Sequence, residues 1–394
     1  MPGSLHSAER AQLVRDFLRQ QELRAWIAWR PDELIMLSGY ATFWGASVLL
    51  YLADSDPVLF IPVLEPRDHI PAGLIVREYP WGDLKCSDPF AVLTEGVRSE
   101  TKKAGVAPGQ VGMLRSAART SLPIQAAEQI PLPESFCETF SALAAQPDPK
   151  KENAFLNLYL QKTPEEVRAI RLANHVAGIG VQSFRDSVSP SISEAEVAAA
   201  VETAIQKQIG QDGIFYARGW AMVQSGPNSA DSGRFNRSSG RRLQNGDLVV
   251  LELATCVNGY WSDLTRMEAV GELKPQLAEL LRVVSEGQQA AIAMVQPGVA
   301  AGEVDAAARD VIARHGLSEY FTHHTGHHVG FRYHDPGFGL MPGRTEKLAP
   351  GMVVTIEPGA YVPEYGGGAR IEDDVLVTDS GNEILSRESR TAVS

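Results

Sequence analysis

Apolar residues follow two kinds of pattern along the chain, and the change falls near residue 150. Ahead of it, short helical periods alternate with short apolar runs. Ser7–Gln21 carries apolar residues at helical spacing, and AWIAW (Ala25–Trp29) reads as a strand. SVLLYLA (Ser47–Ala53) and PVLFIPV (Pro57–Val63) flank Asp-Ser-Asp-Pro and predict a hairpin, while VGML (Val111–Leu114) predicts a further buried strand. This alternation predicts a small α/β domain over residues 1–155. The polar stretch AAQPDPKKEN (Ala144–Asn153), with two prolines, reads as a linker or surface loop.

Beyond it, helices and strands segregate. In KTPEEVRAIRLANHVAGIG, Thr163 suits the N-cap, Pro164 the first helical position, and Glu166 completes a capping box. Ser193 and Glu196 bracket a second box. PQLAELLRVVSEGQQAAIAMV and AGEVDAAARDVIARHG predict two more helices, the latter closed by Gly316. Strand-rich stretches lie between and after these helices. The fold class expected for residues 156–394 is therefore α+β.

One strand pair places acids in an apolar setting. DLVVLELATCVNGYWSDLTRMEAV (Asp247–Val270) contains Asn258-Gly259, a strong two-residue hairpin signal. With that turn, Val257 faces Tyr260, Ala254 faces Asp263, and Glu252 faces Thr265. Residues two apart share a sheet face, so Glu252 and Asp263 become diagonal neighbours on one side. LVVLEL is almost wholly apolar, which implies burial, and an uncompensated carboxylate is costly there. A cation or an arginine would offset that cost. MVVTIEPGAY (Met352–Tyr361) puts Glu357 at a strand end, and GARIEDDVLV (Gly368–Val377) reads as a strand holding Glu372 near Arg370.

Composition refines this picture. At 394 residues the chain exceeds the size of one hydrophobic core, so two domains are expected. Net charge is −12 with no Lys/Arg block, which argues against nucleic acid or an anionic membrane as partner. Three widely spaced cysteines, Cys86, Cys137 and Cys256, suggest neither a disulfide framework nor a CxxC metal site and fit a reducing cytoplasm. The polar N-terminus does not resemble a signal peptide, and no apolar run is long enough for a membrane span. Five of the nine histidines fall in HHTGHHVGFRYH (His323–His334), a concentration that asks for a chemical reason. Four carboxylates in apolar strands and one imidazole form a ligand set suited to Mn²⁺, Fe²⁺, Co²⁺ or Zn²⁺.

Taken in order, GYWSDLTR, TGHHVGFRYHD, VVTIEPGAY and GARIED resemble the motifs of the pita-bread metallopeptidases, the family of aminopeptidase P, prolidase, methionine aminopeptidase and creatinase. DELIMLSGY (Asp32–Tyr40) resembles the creatinase-type N-terminal domain, and KTPEEVRAIRLA resembles the entry to the catalytic domain. The resemblance implies a C-terminal pita-bread domain preceded by a smaller creatinase-like α/β domain. It implies a metal-dependent Xaa-Pro aminopeptidase or dipeptidase acting on short peptides, with two divalent ions, manganese first among them, and a homodimer. Carried over by position, the metal ligands are Glu252, Asp263, His327, Glu357 and Glu372. His323 and His334 would contact substrate or the tetrahedral intermediate, Glu357 would handle a proton, and Arg370 would lie near the substrate. The ions would lower the pKa of a water and polarise the scissile carbonyl.

This sequence departs from the family at several points. Glu252 stands where Asp is usual, Gly233 where the peptidases carry a histidine, Arg332 where an acid is common, and His328 where Gly is frequent. The departures leave two alternatives, a non-peptidase C–N hydrolase of a small amide or amidine and a catalytically silent binding module. His324 and His328 are expected to face solvent or to sit behind the ligands. His6, His69, His175 and His315 are expected at the surface, and Tyr260 and Tyr361 in the core or behind the ligands.

Overall fold

A computed structural model describes residues 7–114, 134–234 and 236–390, so His6 lies outside the described residues. The chain divides into two compact units, Met1–Tyr159 and Leu160–Ser394.

In the first unit, Ser7 caps helix α1 (Ala8–Gln20) by accepting the Arg10 N–H. There follow β1 (Ala25–Ala28), α2 (Pro31–Ser38), β2 (Val48–Leu52), β3 (Val58–Pro62), β4 (Ile75–Tyr79), α3 (Pro89–Lys103), β5 (Val111–Gly112), α4 (Glu134–Leu143) and α5 (Pro149–Leu156). The strands form one mixed sheet, β4-β3-β2-β1-β5, in which β2 and β3 make the expected hairpin with Val48 opposite Phe60. The expected linker is helical in its second half. Asp148 accepts the Lys150 N–H and Pro149 takes the first helical position, so residues that read as loop signals start α5 instead. Burial stabilises that short helix, because Phe155 stacks on Trp26 at 4.0 Å. His69 is another correction. Its side chain is 3% exposed, and Nε2 bonds the Ala41 carbonyl at 2.8 Å.

The second unit begins with α6 (Pro164–Ser187) and α7 (Glu194–Gln206), each opened by the capping box expected from the sequence. They pack on the antiparallel sheet β6 (Ala217–Ser225), β7 (Leu248–Val257) and β8 (Tyr260–Ala269). Ala173, Val176, Val181 and Phe184 from α6 meet Val249, Leu251 and Leu253 in one core. A second core joins α8 (Pro275–Met294) and α9 (Ala301–Arg314) to β9 (Val353–Ile356), β10 (Gly359–Val362), β11 (Gly367–Arg370) and β12 (Asp373–Val377). Strand β13 (Asn382–Ile384) completes the sheet β13-β12-β9. No described helix is long and apolar enough to cross a membrane.

The stretch Gly368–Val377 is not one strand. Arg370 ends a ladder with β10, opposite Gly359, and Asp373 begins a new ladder with β9, opposite Ile356. Ile371 and Glu372 join the two ladders, and Glu372 is buried.

Candidate metal centre and active site

The β7–β8 hairpin has the register read from the sequence: Glu252 opposite Thr265, Ala254 opposite Asp263, and Val257 opposite Tyr260. Asn258 and Gly259 turn it with positive φ of 51° and 93°, the conformation that makes Asn-Gly favourable. Glu252 and Asp263 are buried, at 3% and 1% exposure.

The second half of the unit brings its donors to the same face. His327 lies against β9, with the Thr355 N–H donating to its carbonyl at 2.8 Å and its own N–H donating to Thr355 Oγ1 at 3.1 Å. Gly326 permits this approach, since a Cβ there would lie 1.9 Å from the Thr355 carbonyl oxygen. The Glu357 N–H donates to the Thr325 carbonyl at 2.8 Å, and the Glu372 N–H to the Thr265 carbonyl at 3.2 Å. Arg266, paired with Asp373 at 2.8 Å, also donates to the Glu372 carbonyl and fixes that crossing.

These contacts bring Glu252, Asp263, His327, Glu357 and Glu372 together. His327 Nε2 lies 3.4 Å from Asp263 Oδ2 and 3.5 Å from Glu357 Oε1. Ligand atoms around a tetrahedral ion with bonds of about 2.1 Å are about 3.4 Å apart, so this spacing suits a shared cation. Donor atoms of His327, Glu357 and Glu372 lie within 4.8 Å of one another, as do those of Glu252, Asp263 and Glu372, and those of Asp263, His327 and His334. The Nδ1 of His327 faces the His328 carbonyl at 3.0 Å, which selects the tautomer with Nδ1 protonated and the Nε2 lone pair aimed at the carboxylates.

Electrostatics agree with a site suited to a cation. Burial, then repulsion from Glu372, Glu252 and Glu357, holds the Asp263 carboxyl well above the usual range. Burial, then Glu252 and Glu357, does the same to Glu372. Glu357 is pushed up to about 8, chiefly by burial. Asp263 Oδ1 and Glu372 Oε1 have no hydrogen-bond partner among the described residues, a costly state for buried oxygens. The residues present thus fit a divalent metal by donor type, spacing and uncompensated charge. Glu252 differs. Burial raises its pKa, but Arg370 and the hydrogen bonds of Thr265 and Tyr333 outweigh that and hold it below the ordinary value.

Around the cluster runs a polar chain. Arg370 donates from Nη1 to the Tyr361 hydroxyl at 2.8 Å, and that hydroxyl lies 2.9 Å from His323 Nε2. His323 Nδ1 faces the His324 carbonyl at 2.7 Å, so Nε2 accepts the Tyr361 proton. Burial keeps His323 neutral, lowering its pKa to about 4. Arg370 forms an ion pair with Glu252.

Tyr333, which the sequence reading passed over, donates its hydroxyl to Glu252 Oε1 at 2.9 Å and stacks on His334 at 4.3 Å. A signal existed in its place beside His334. Lys162 was also missed; its ammonium lies 3.0 Å from Asp335, both side chains being fully buried. Asp335 accepts the Arg332 N–H at 2.8 Å and so shapes the turn that carries Tyr333 and His334.

Of the remaining histidines, His324 is partly exposed, 3.6 Å from Glu357. His328 points away from the cluster into the core, 1% exposed and edge-on to Phe338 at 4.7 Å, rather than facing solvent. Gly233 lies in an exposed turn where Asp231 pairs with Arg234 at 3.1 Å.

The fold and the cluster together define a metallopeptidase of pita-bread architecture. The chain belongs to metallopeptidase family M24, whose model matches residues 168–379. It is 28% identical to the Xaa-Pro dipeptidase of Pyrococcus horikoshii over 98% of this chain and 99% of that protein. It is 37% identical to the uncharacterized peptidase YqhT of Bacillus subtilis over 60% of this chain, a match spanning 65% of that protein's length. Among solved structures, the Xaa-Pro dipeptidase from Bacillus anthracis superposes with a TM-score of 0.77 at 26% identity, covering 96% of this chain and 97% of that one.

Proposed function

We propose that this chain cleaves short peptides at an Xaa-Pro bond, as a metal-dependent dipeptidase or aminopeptidase. The observation that carries this reading is the convergence of buried, mutually repelling carboxylates on the free Nε2 of His327. The names of relatives matching along nearly the full chain support the substrate class. Glu252, Asp263, His327, Glu357 and Glu372 would hold the metal, with manganese the expected ion and two ions the family pattern. Bound divalent metal supplies an acidified water and a polarised scissile carbonyl.

The protein's own groups do the rest. Glu357, at the edge of the cluster beside His327 and His324, takes the water proton and returns it to the leaving nitrogen. His334, exposed at the rim, and His323, at the end of the Arg370–Tyr361 chain, contact the substrate. Arg370 adds positive charge that attracts a peptide carboxylate.

A second reading rests on Gly233. No imidazole occupies that turn, and Asp231 and Arg234 pair there instead, which favours hydrolysis of a small non-peptide amide or amidine. Assay of Mn²⁺-loaded protein with Ala-Pro, Ala-Pro-Ala and Ala-Ala separates the two. The first reading predicts cleavage of the proline peptides and little turnover of Ala-Ala. Absence of all peptide cleavage, with turnover of a small cyclic amide, would transfer support to the second.

A further inference from the structure

In the first unit, one fully buried carboxylate, that of Glu65, organises an exposed loop. Its Oε1 accepts the Tyr40 hydroxyl at 2.6 Å and the Phe43 N–H at 2.9 Å, and its Oε2 accepts the Trp44 N–H at 2.8 Å. All three donors belong to the connection between α2 and β2, residues 39–47. The loop is thus wrapped around a single acid. Its aromatic tip stands in solvent, with Phe43 41% and Trp44 52% exposed.

A buried carboxylate needs positive charge beside it. Among the described residues no lysine or arginine lies within 4.0 Å of Glu65, and Arg67, two positions on, pairs with Glu78 instead. The basic group that does approach is His69, whose Nε2 lies 3.7 Å from Glu65 Oε1. The same Nε2 donates to the Ala41 carbonyl at 2.8 Å, and Nδ1 lies 3.5 Å from Asp68 Oδ1. The ring also stacks on Tyr40 at 5.7 Å and meets Phe43 edge-on at 4.7 Å. His69 therefore touches the loop through a carbonyl, two aromatic rings and the acid at its centre.

The bond to Ala41 fixes Nε2 as the protonated nitrogen of the neutral ring, so Nδ1 is the atom that gains or loses a proton. With Nδ1 protonated, the ring carries a charge that faces Glu65 on one side and Asp68 on the other. Without it, a lone pair faces Asp68 and Glu65 is left buried with no counter-ion. Burial lowers the His69 pKa, but the bonds toward Glu65, Ala41 and Asp68 outweigh it and hold the group above its ordinary 6.5. The Tyr40 phenol also faces the ring. Burial and Glu65 raise its pKa, so it stays protonated.

We propose that His69 and Glu65 form a proton-operated latch on the loop of residues 40–47, closed while His69 is charged and loosened when it is neutral. Because folding raises the affinity of His69 for its proton, the stability of the closed loop is full below the ordinary value. It is lost as pH rises through the folded-state value.

Hydrogen exchange of the Phe43 and Trp44 amides on the full chain tests this, measured in steps from pH 5.5 to pH 9 and divided by the intrinsic rate at each pH. In wild type, protection of these two amides should fall severalfold across the range, while β1 and β2 in the same unit keep theirs. His69→Gln, which retains a donor for Ala41 but cannot become charged, should show weak protection already at pH 5.5 and no further fall. Asp68→Asn, an exposed and milder change, should move the fall to lower pH by removing one of the two acids that hold the proton. Constant protection in wild type, or a fall that persists in His69→Gln, would overturn the inference. If His69→Gln does not fold, an unmoved midpoint in Asp68→Asn would overturn it as well.

Discussion

Glu33 shows at the scale of one residue how this chain tolerates buried acids. Its Oε2 accepts the N–H groups of Trp29 and Arg30 at the start of α2, while Oε1 has no partner among the described residues. Burial, reinforced by the charge of Asp32, lifts its pKa to about 8, above an ordinary 4.5. A raised folded-state pKa means that folding favours the protonated form. The stability contributed is full below the ordinary value and is lost as pH rises through about 8. Glu33→Gln, which mimics the protonated acid, should flatten that decline and exceed wild-type stability at pH 9 by at least about 1.4 kcal/mol, the worth of one pKa unit. Urea unfolding at pH 5, 7 and 9 measures it, and parallel wild-type and variant curves would refute it. Asp263 gives a second case. Asp263→Asn removes one of several repelling buried charges, so metal-free protein should melt higher than wild type. Added Mn²⁺ should then raise the melting temperature of wild type and leave that of the variant nearly unchanged.

Among the secondary-structure elements, those specified by local chemistry were legible and those specified by partners were not. Asn258-Gly259 dictates its turn, and period-two alternation carries the register to Glu252–Thr265 without tertiary information. Both capping boxes were likewise readable, since each uses residues three apart. The break at Glu372 was not, because Gly368–Val377 is uniformly strand-like and only the change of neighbour from β10 to β9 divides it. Tyr333 escaped notice for the same reason, as its hydroxyl acquires meaning only against Glu252, far away in sequence. Two predictions belong here. Lys162→Met leaves the buried Asp335 carboxylate unpaired and should cost about 3–5 kcal/mol, read by chemical denaturation. Gly326→Ala forces a methyl group into the Thr355 carbonyl, so it should destabilise by more than about 3 kcal/mol and weaken Mn²⁺ binding through His327.

For the molecule as a whole, the second unit is built from two cores, each formed by a pair of helices against strands. The α6–α7 half supplies Glu252 and Asp263 from one hairpin, and the α8–α9 half supplies His327, Glu357 and Glu372 from three separate segments. Neither half alone holds a complete donor set, so the chemistry depends on their assembly. That is why a ligand list could be drawn from motifs while the division of labour within it could not. Charge compensation by Arg370 singles out Glu252, and only the folded chain brings that guanidinium to it. Crystals of the full chain grown with Mn²⁺ and measured at the manganese absorption edge give the most direct test. The account predicts manganese anomalous density within bonding distance of Glu252, Asp263, His327, Glu357 and Glu372. A map with no peak at that cluster, from crystals whose protein binds Mn²⁺ elsewhere or not at all, would contradict it.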